Sequence, residues 1–293
     1  MEENVGNEEN VKTPKGKLRH RWLAICLAVL IFVGCVLGVL QIGVWYVKST
    51  WEFWSPDYEK VDIMPLLIKD ELTDKEYETL YYQTGMTKLA IDDVRTKKDY
   101  NKALEIQANL FREYNITCRR FNPFTYIDEI DGFTTLAPLR DGDIIVSSTT
   151  HVSWWRYGHA AMVVDGANGT IIESVGPGSK SQLFYAESFC DLANFLVLRP
   201  KVDEATKAQI VDFAVNNMQG LPYRFTVGIL SKKFNEKEIK FSQCAHLVWY
   251  AYKKFGYDLD SNGKGIVKPQ DMALSEHVEV VQAFGFDLDT LWS

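Results

Sequence analysis

The sequence predicts an α+β chain with an antiparallel sheet and packed helices, preceded by a membrane-spanning helix. Three features carry this. Residues 22–47 form one uncharged apolar run. Short β-rich runs begin near Asp141 and are separated by Gly, Asn and Asp, and helical periodicity returns after Pro200. With 46% hydrophobic and 24% charged residues among 293, the chain can bury a substantial core. Its net charge is −7, and the five basic residues before residue 22 slightly outnumber the four glutamates there, so the acidic excess lies in the remainder. An acidic body excludes nucleic acid as the main partner, because phosphate recognition needs a basic surface.

From Trp22 to Val47 the single strongly polar residue is Gln41, and Trp22, Trp45 and Tyr46 stand at the edges, where amphipathic rings favour the bilayer interface. At about 1.5 Å per residue this is long enough to cross the hydrocarbon with some tilt. A cleavable signal peptide would have a shorter apolar region of about 7–15 residues followed by small residues. Here the run leads into VWYVKSTWEF, so an anchor is the expectation. Lys12, Lys15, Lys17, Arg19 and Arg21 precede it, against Lys48 and Lys60 after it, which predicts a cytoplasmic tail (1–21) and a body outside. Cys26 and Cys35 lie in the span and Cys118, Cys190 and Cys244 beyond it. A Cys118–Cys190 disulfide is allowed by that compartment but not specified by spacing, and at least one thiol stays unpaired.

Residues 48–135 read as a helical linker or subdomain. Thr73-Asp74-Lys75-Glu76 is a capping box opening a helix that should stop at Gly85. Tyr100, Ala103, Leu104, Gln107, Phe111 and Tyr114 recur at helical spacing. Next, DGDIIVSS, HAAMVV, TIIESV and FLVLRP read as strands, with Asp165–Gly169 turning one into the next. Ala208, Val211, Val215 and Met218 mark a helix ending near Gly220. A last helix should run from Ser242, as its N-cap, to Phe255.

That last helix places Cys244 in its first turn, where unpaired N–H groups and the macrodipole favour an anion and lower a thiol's pKa. A buried inert cysteine is the plainer alternative. The base must be a histidine. His246, two residues on, projects to nearly the opposite helix face and suits packing better. His159 opens the HAAMVV strand after Gly158, in a rigid setting. Glu173 closes the next strand. If a wide five-residue loop pairs Ala161 with Glu173, His159 and Glu173 are diagonal neighbours on one face; a tight Asn168-Gly169 turn would point the carboxylate away. Trp154, Trp155 and Tyr157, beside His159, could wall a cleft or simply pack. Asp258–Gly263 imitates the opening of a calcium loop, but its twelfth position is Pro269, and no zinc spacing occurs; neither metal nor cofactor is expected.

In the order His159, Glu173, Cys244, and in the segments DGDII, YGHAAMVVDG, TIIES, LPYRF, FSQCAHLVWYAY and VKPQDMALSEHVEVV, the chain resembles the circularly permuted papain-like cysteine hydrolases related to the NlpC cell-wall peptidases, the YiiX/YebB-like group. The resemblance covers roughly residues 138–283. It implies a permuted papain-like domain over 136–293 in which Cys244 attacks a carbonyl, His159 moves the proton and Glu173 orients His159. It also implies that Tyr223 is a supporting or oxyanion residue. Gln243 stands before the nucleophile where many relatives have Tyr, which bears on substrate preference. With Trp155 it completes the expected substrate support.

The expected function is therefore a membrane-anchored extracytoplasmic cysteine amidase or peptidase with a Cys-His-Glu triad, using no cofactor and acting on peptides of the cell wall. Two alternatives remain. The scaffold is similar to lecithin retinol acyltransferase, which implies a lipid acyl hydrolase or acyltransferase, and a non-catalytic peptide- or lipid-binding module would use the same cleft.

Overall fold

A computed structural model describes residues 15–50 and 53–292. The tail to residue 14, with Lys12 and the four glutamates, lies outside the described residues. The apolar run forms helix α1 (Lys15–Thr50), of which His20–Ser49 is long and apolar enough to cross a membrane. Most of its side chains are exposed, Trp22, Trp45 and Tyr46 among them, but Gly43, Val44 and Val47 are buried against the body. Gly43 is required there: a Cβ would fall 1.7 Å from Ser153 Oγ and 2.4 Å from the Trp154 ring.

Four helices follow: α2 (Met64–Leu67), α3 (Asp74–Thr84), α4 (Lys88–Lys97) and α5 (Tyr100–Leu110). The expected capping box is present, with Glu76 Oε2 accepting from the Thr73 backbone N–H at 2.8 Å, and Gly85 ends α3 in the left-handed region. Helix α5 stops before Phe111 and Tyr114, which lie past its end. The helical reading of 48–135 fails beyond that point. Ile116–Arg120 is strand β1 and Tyr126–Ile130 is β2, paired antiparallel with Cys118 opposite Asp128. In β2 the buried Tyr126, Asp128 and Ile130 alternate with half-buried residues, which is strand periodicity. These strands join β4 (Thr150–Val152) and β5 (Trp155–Arg156) in a four-stranded sheet of order β1-β2-β4-β5.

The larger sheet has six antiparallel strands in the order β10-β9-β3-β6-β7-β8. They are β3 (Ile144–Ser147), β6 (His159–Asp165), β7 (Thr170–Glu173), β8 (Gln182–Tyr185), β9 (Phe195–Pro200) and β10 (Val278–Phe284). Covered on both faces, β3 and β9 are buried throughout, and β6 is buried at every position between its ends. Helices α6 (Glu204–Asn217), α7 (Cys244–Lys254) and α8 (Pro269–Ala273) complete the fold, and α6 and α7 pack across β6. The result is a mixed α+β architecture with antiparallel sheets.

The helices before the sheet share one core with it, since Ile63, Leu80, Ile91 and Ile106 cluster with Ile145, Val163 and Val248. A buried ion network ties the layers. Arg199 of β9 grips both oxygens of Asp143 at 2.9 and 2.8 Å and reaches Asp93 of α4 at 3.1 Å, while Arg140 also binds Asp93. The Asp258–Gly263 segment is an ordinary turn. Asp258 accepts from Trp249 Nε1 at 2.7 Å and pairs with Lys253, and Asp260 pairs with Lys233. Removing one partner of a buried ion pair leaves the other uncompensated, so Arg199→Ala should lower stability by about 3–5 kcal/mol, read as a fall in the urea unfolding midpoint.

Candidate functional site

The sequence-predicted triad residues converge from three elements. Cys244 is the first residue of α7, His159 the first of β6 and Glu173 the last of β7. All three line one cavity of about 370 Å³, whose walls include Phe121, Tyr157 and Pro177. The decisive local feature is the β6–β7 register. Ala161 pairs with Glu173, as the wide-loop reading requires, but the geometry differs from a five-residue loop: Asp165 pairs with Thr170 and a bulge falls between Val163 and Asp165. The turn is stabilised by Asp165 Oδ1, which accepts from Ala167 and Asn168 N–H at 3.1 and 3.0 Å.

With that register, His159 Nε2 donates to Glu173 Oε2 at 2.9 Å. Nδ1 is then the nitrogen left for the side-chain interaction with Cys244. The ring stacks on Phe189 at 5.6 Å, and the His159 side chain is 16% exposed against 7% for Glu173. Burial alone would lower the His159 pKa, but hydrogen bonds and charge from Cys244 and Glu173 outweigh it and raise it to about 10. Gly158 makes the approach possible. At φ +73° it occupies the left-handed region, and a Cβ there would lie 2.3 Å from the Ser147 carbonyl oxygen of the adjacent strand.

Helix α7 is capped by Gln243, not by Ser242 as its sequence suggests. Gln243 Oε1 accepts from the Ala245 backbone N–H at 3.0 Å and from the Cys244 thiol at 3.2 Å, while Nε2 donates to the Val267 carbonyl at 2.7 Å. Its amide is thus committed to holding the helix start and the sulfur rather than to an oxyanion. Ser242 instead donates to His246 Nδ1 at 2.9 Å. His246 is a packing residue: Nε2 donates to the Lys233 carbonyl at 2.7 Å, the ring sits against Trp249 and Tyr250, and burial pushes its pKa down to about 4.

Tyr223 lies beside the site, paired with Ser242 across an isolated bridge. Burial, then the neighbouring Cys244 and Tyr157, raise its pKa, so it is held neutral as a donor. Trp155 does not line the cavity. It packs on Tyr157 and Phe225, each at 5.6 Å, and so supports Tyr157, which does. Trp154 turns to α1.

A second cluster escaped the sequence reading. Cys118, Asp128 and His151 bring ligand-type atoms within 4.8 Å of one another. On residue type it is consistent with a catalytic site. Its signal is strand pairing across 33 residues, which spacing along the chain does not expose. Burial and the adjoining Asp128 carboxylate push the Cys118 thiol up to about 11, and His151 and Asp128 are almost fully enclosed. Cys118 and Cys190 are both free thiols, so the disulfide allowed by the sequence is not formed.

No family model matches the chain, and no solved structure matches it. The chain is distantly similar to the uncharacterized protein YycO of Bacillus subtilis, with 29% identity over 139 residues, 47% of this chain and 54% of that protein. The chain therefore spans about half the length of that relative.

The His159 pKa has a consequence for stability. Raised in the folded state from 6.5 to about 10, it contributes stability fully present below about pH 6.5 and lost as pH rises through about 10. The margin in melting temperature of the wild type over Glu173→Gln should therefore be largest near pH 6 and shrink towards pH 10, measured by thermal unfolding across that range.

Proposed function

We propose that the chain is a membrane-anchored cysteine hydrolase, an amidase or peptidase in which Cys244 is the nucleophile, His159 the general base and acid, and Glu173 the group that orients the imidazole. The observation that carries this reading is the 2.9 Å His159–Glu173 hydrogen bond beside Cys244 within one cavity. His159 beside the sulfur is placed to exchange the thiol proton, and the start of α7 presents a dipole that favours developing negative charge there. The sulfur, its proton passed to His159, adds to the substrate carbonyl carbon, and the Tyr223 hydroxyl together with the α7 dipole stabilises the oxyanion. His159 protonates the leaving amine as the tetrahedral intermediate collapses to a thioester. It then takes a proton from water, which displaces the sulfur and releases the acid.

We further propose that α1 is retained as an anchor, with the basic tail in the cytoplasm and the body outside, where cell-wall peptides are accessible. A second reading, an acyl hydrolase or acyltransferase on membrane lipid, is favoured by one specific placement. The loop that carries Phe121 into the cavity wall also places Pro123 and Phe124 beside Leu37, Leu40 and Val44 of α1, with the Phe124 ring 54% exposed. If α1 spans a bilayer, this loop would meet it, which would bring the cavity close to lipid.

Cys244→Ala should reduce hydrolysis by about 10³-fold or more, assayed on wall-peptide fragments and on acyl lipid esters in parallel. Loss on one substrate class and no turnover of the other selects the reading; undiminished turnover in the variant refutes the nucleophile. Alkylation of Cys244 near neutral pH should be suppressed in His159→Ala, followed by mass spectrometry. Protease added to intact cells should digest the body, and its protection would reverse the topology.

A further inference from the structure

The Cys118–Asp128–His151 cluster has the dimensions of a metal site. Register places the three residues on one face of the small sheet. Cys118 of β1 is opposite Asp128 of β2, and Tyr126, two residues before Asp128, is opposite His151 of β4. A tetrahedral zinc ion with bonds of about 2.3 Å to sulfur and about 2.0–2.2 Å to nitrogen and oxygen sets ligand-to-ligand edges of about 3.6 Å for S–N and about 3.4 Å for N–O. The observed Cys118 Sγ to His151 Nε2 distance is 3.7 Å, and His151 Nε2 to Asp128 Oδ1 is 3.4 Å.

The surroundings also fit ligation. His151 Nδ1 donates to the Ser153 carbonyl at 2.8 Å, which fixes the tautomer and leaves the Nε2 lone pair facing the centre. Ser153 holds that carbonyl in place from a left-handed backbone conformation, φ +54°. Asp128 divides its oxygens, Oδ2 taking Arg156 at 2.7 Å and Oδ1 turned inward. Sγ, Nε2 and Oδ1 thus converge on one point, within 4.8 Å of one another.

We propose that Cys118, Asp128 and His151 bind a divalent zinc-type cation that staples β1, β2 and β4 together. A Cys, His and carboxylate donor set suits zinc, with the fourth position left to water. Binding releases the Cys118 thiol proton to solvent. The sheet has reason to need a staple, since none of the five residues of β1 is fully buried and apolar burial alone holds that strand weakly. The loop after β1 supplies Phe121 to the cavity wall, so the ion would fix that wall without taking part in hydrolysis.

The test uses the full chain purified in detergent, dialysed against zinc and then against buffer, with metal measured by mass spectrometry. Wild type and Cys244→Ala should each retain about one zinc per chain, and Cys118→Ser and His151→Ala about tenfold less. A chelator should lower the melting temperature of the wild type but not that of Cys118→Ser. Should the variants fail to fold, cobalt loading of the wild type decides, since thiolate ligation gives an intense charge-transfer absorption. Wild type without stoichiometric metal, equal zinc in Cys118→Ser, loss of zinc in Cys244→Ala, or cobalt without a thiolate band would overturn the proposal.

Discussion

The candidate site depends on the register between β6 and β7. In a strand pair, a slip of one residue turns every side chain to the other face. Because Ala161 pairs with Glu173, the carboxylate comes to the same side as His159 and accepts its Nε2–H; displaced by one residue, it would face away. The bulge between Val163 and Asp165 and the Asp165-capped turn set that register. The remaining constraints act on the same point. Gly158 lets the backbone before His159 pass close to Ser147, and Phe189 holds the ring by stacking.

The sulfur is controlled by a different device. Gln243 caps α7 with one end of its amide and anchors itself to Val267 with the other, so the residue before Cys244 fixes both the helix start and the thiol. This is a positioning role where a substrate-facing one was expected. Trp155 undergoes a similar change, acting through Tyr157 rather than on the cavity itself. In both cases a side chain near the site spends its polar or aromatic surface on holding a neighbour still, which is what a preorganised site requires.

The two cysteine clusters differ in their surroundings: Cys244 is itself buried but borders a cavity, whereas Cys118 is half-buried on a strand. Cys244 lines a cavity together with its histidine and carboxylate, beside a hydrogen-bonded His–Glu pair. Cys118 lies in a sheet with His151 and Asp128 enclosed, at separations set by strand pairing. Similar residue types thus sit in different settings, one group beside a cavity and the other converging across a sheet.

Local signals in the sequence determined the apolar N-terminal helix, the capping box and stop of α3, the strands around Asp141–Pro200 and the helix that starts beside Cys244, since each follows from propensity, periodicity or a cap within a few residues. His159 and Glu173 were legible as a pair only conditionally, because the turn between their strands admitted two registers. Tertiary structure decided the rest. It chose the register through a bulge, made strands of 116–120 and 126–130 by pairing them with each other and the second with 150–152, and replaced Ser242 with Gln243 as the cap because His246 takes the serine hydroxyl. It also assembled Cys118, Asp128 and His151, whose proximity arises from pairing between strands distant along the chain, a relation that no local pattern encodes.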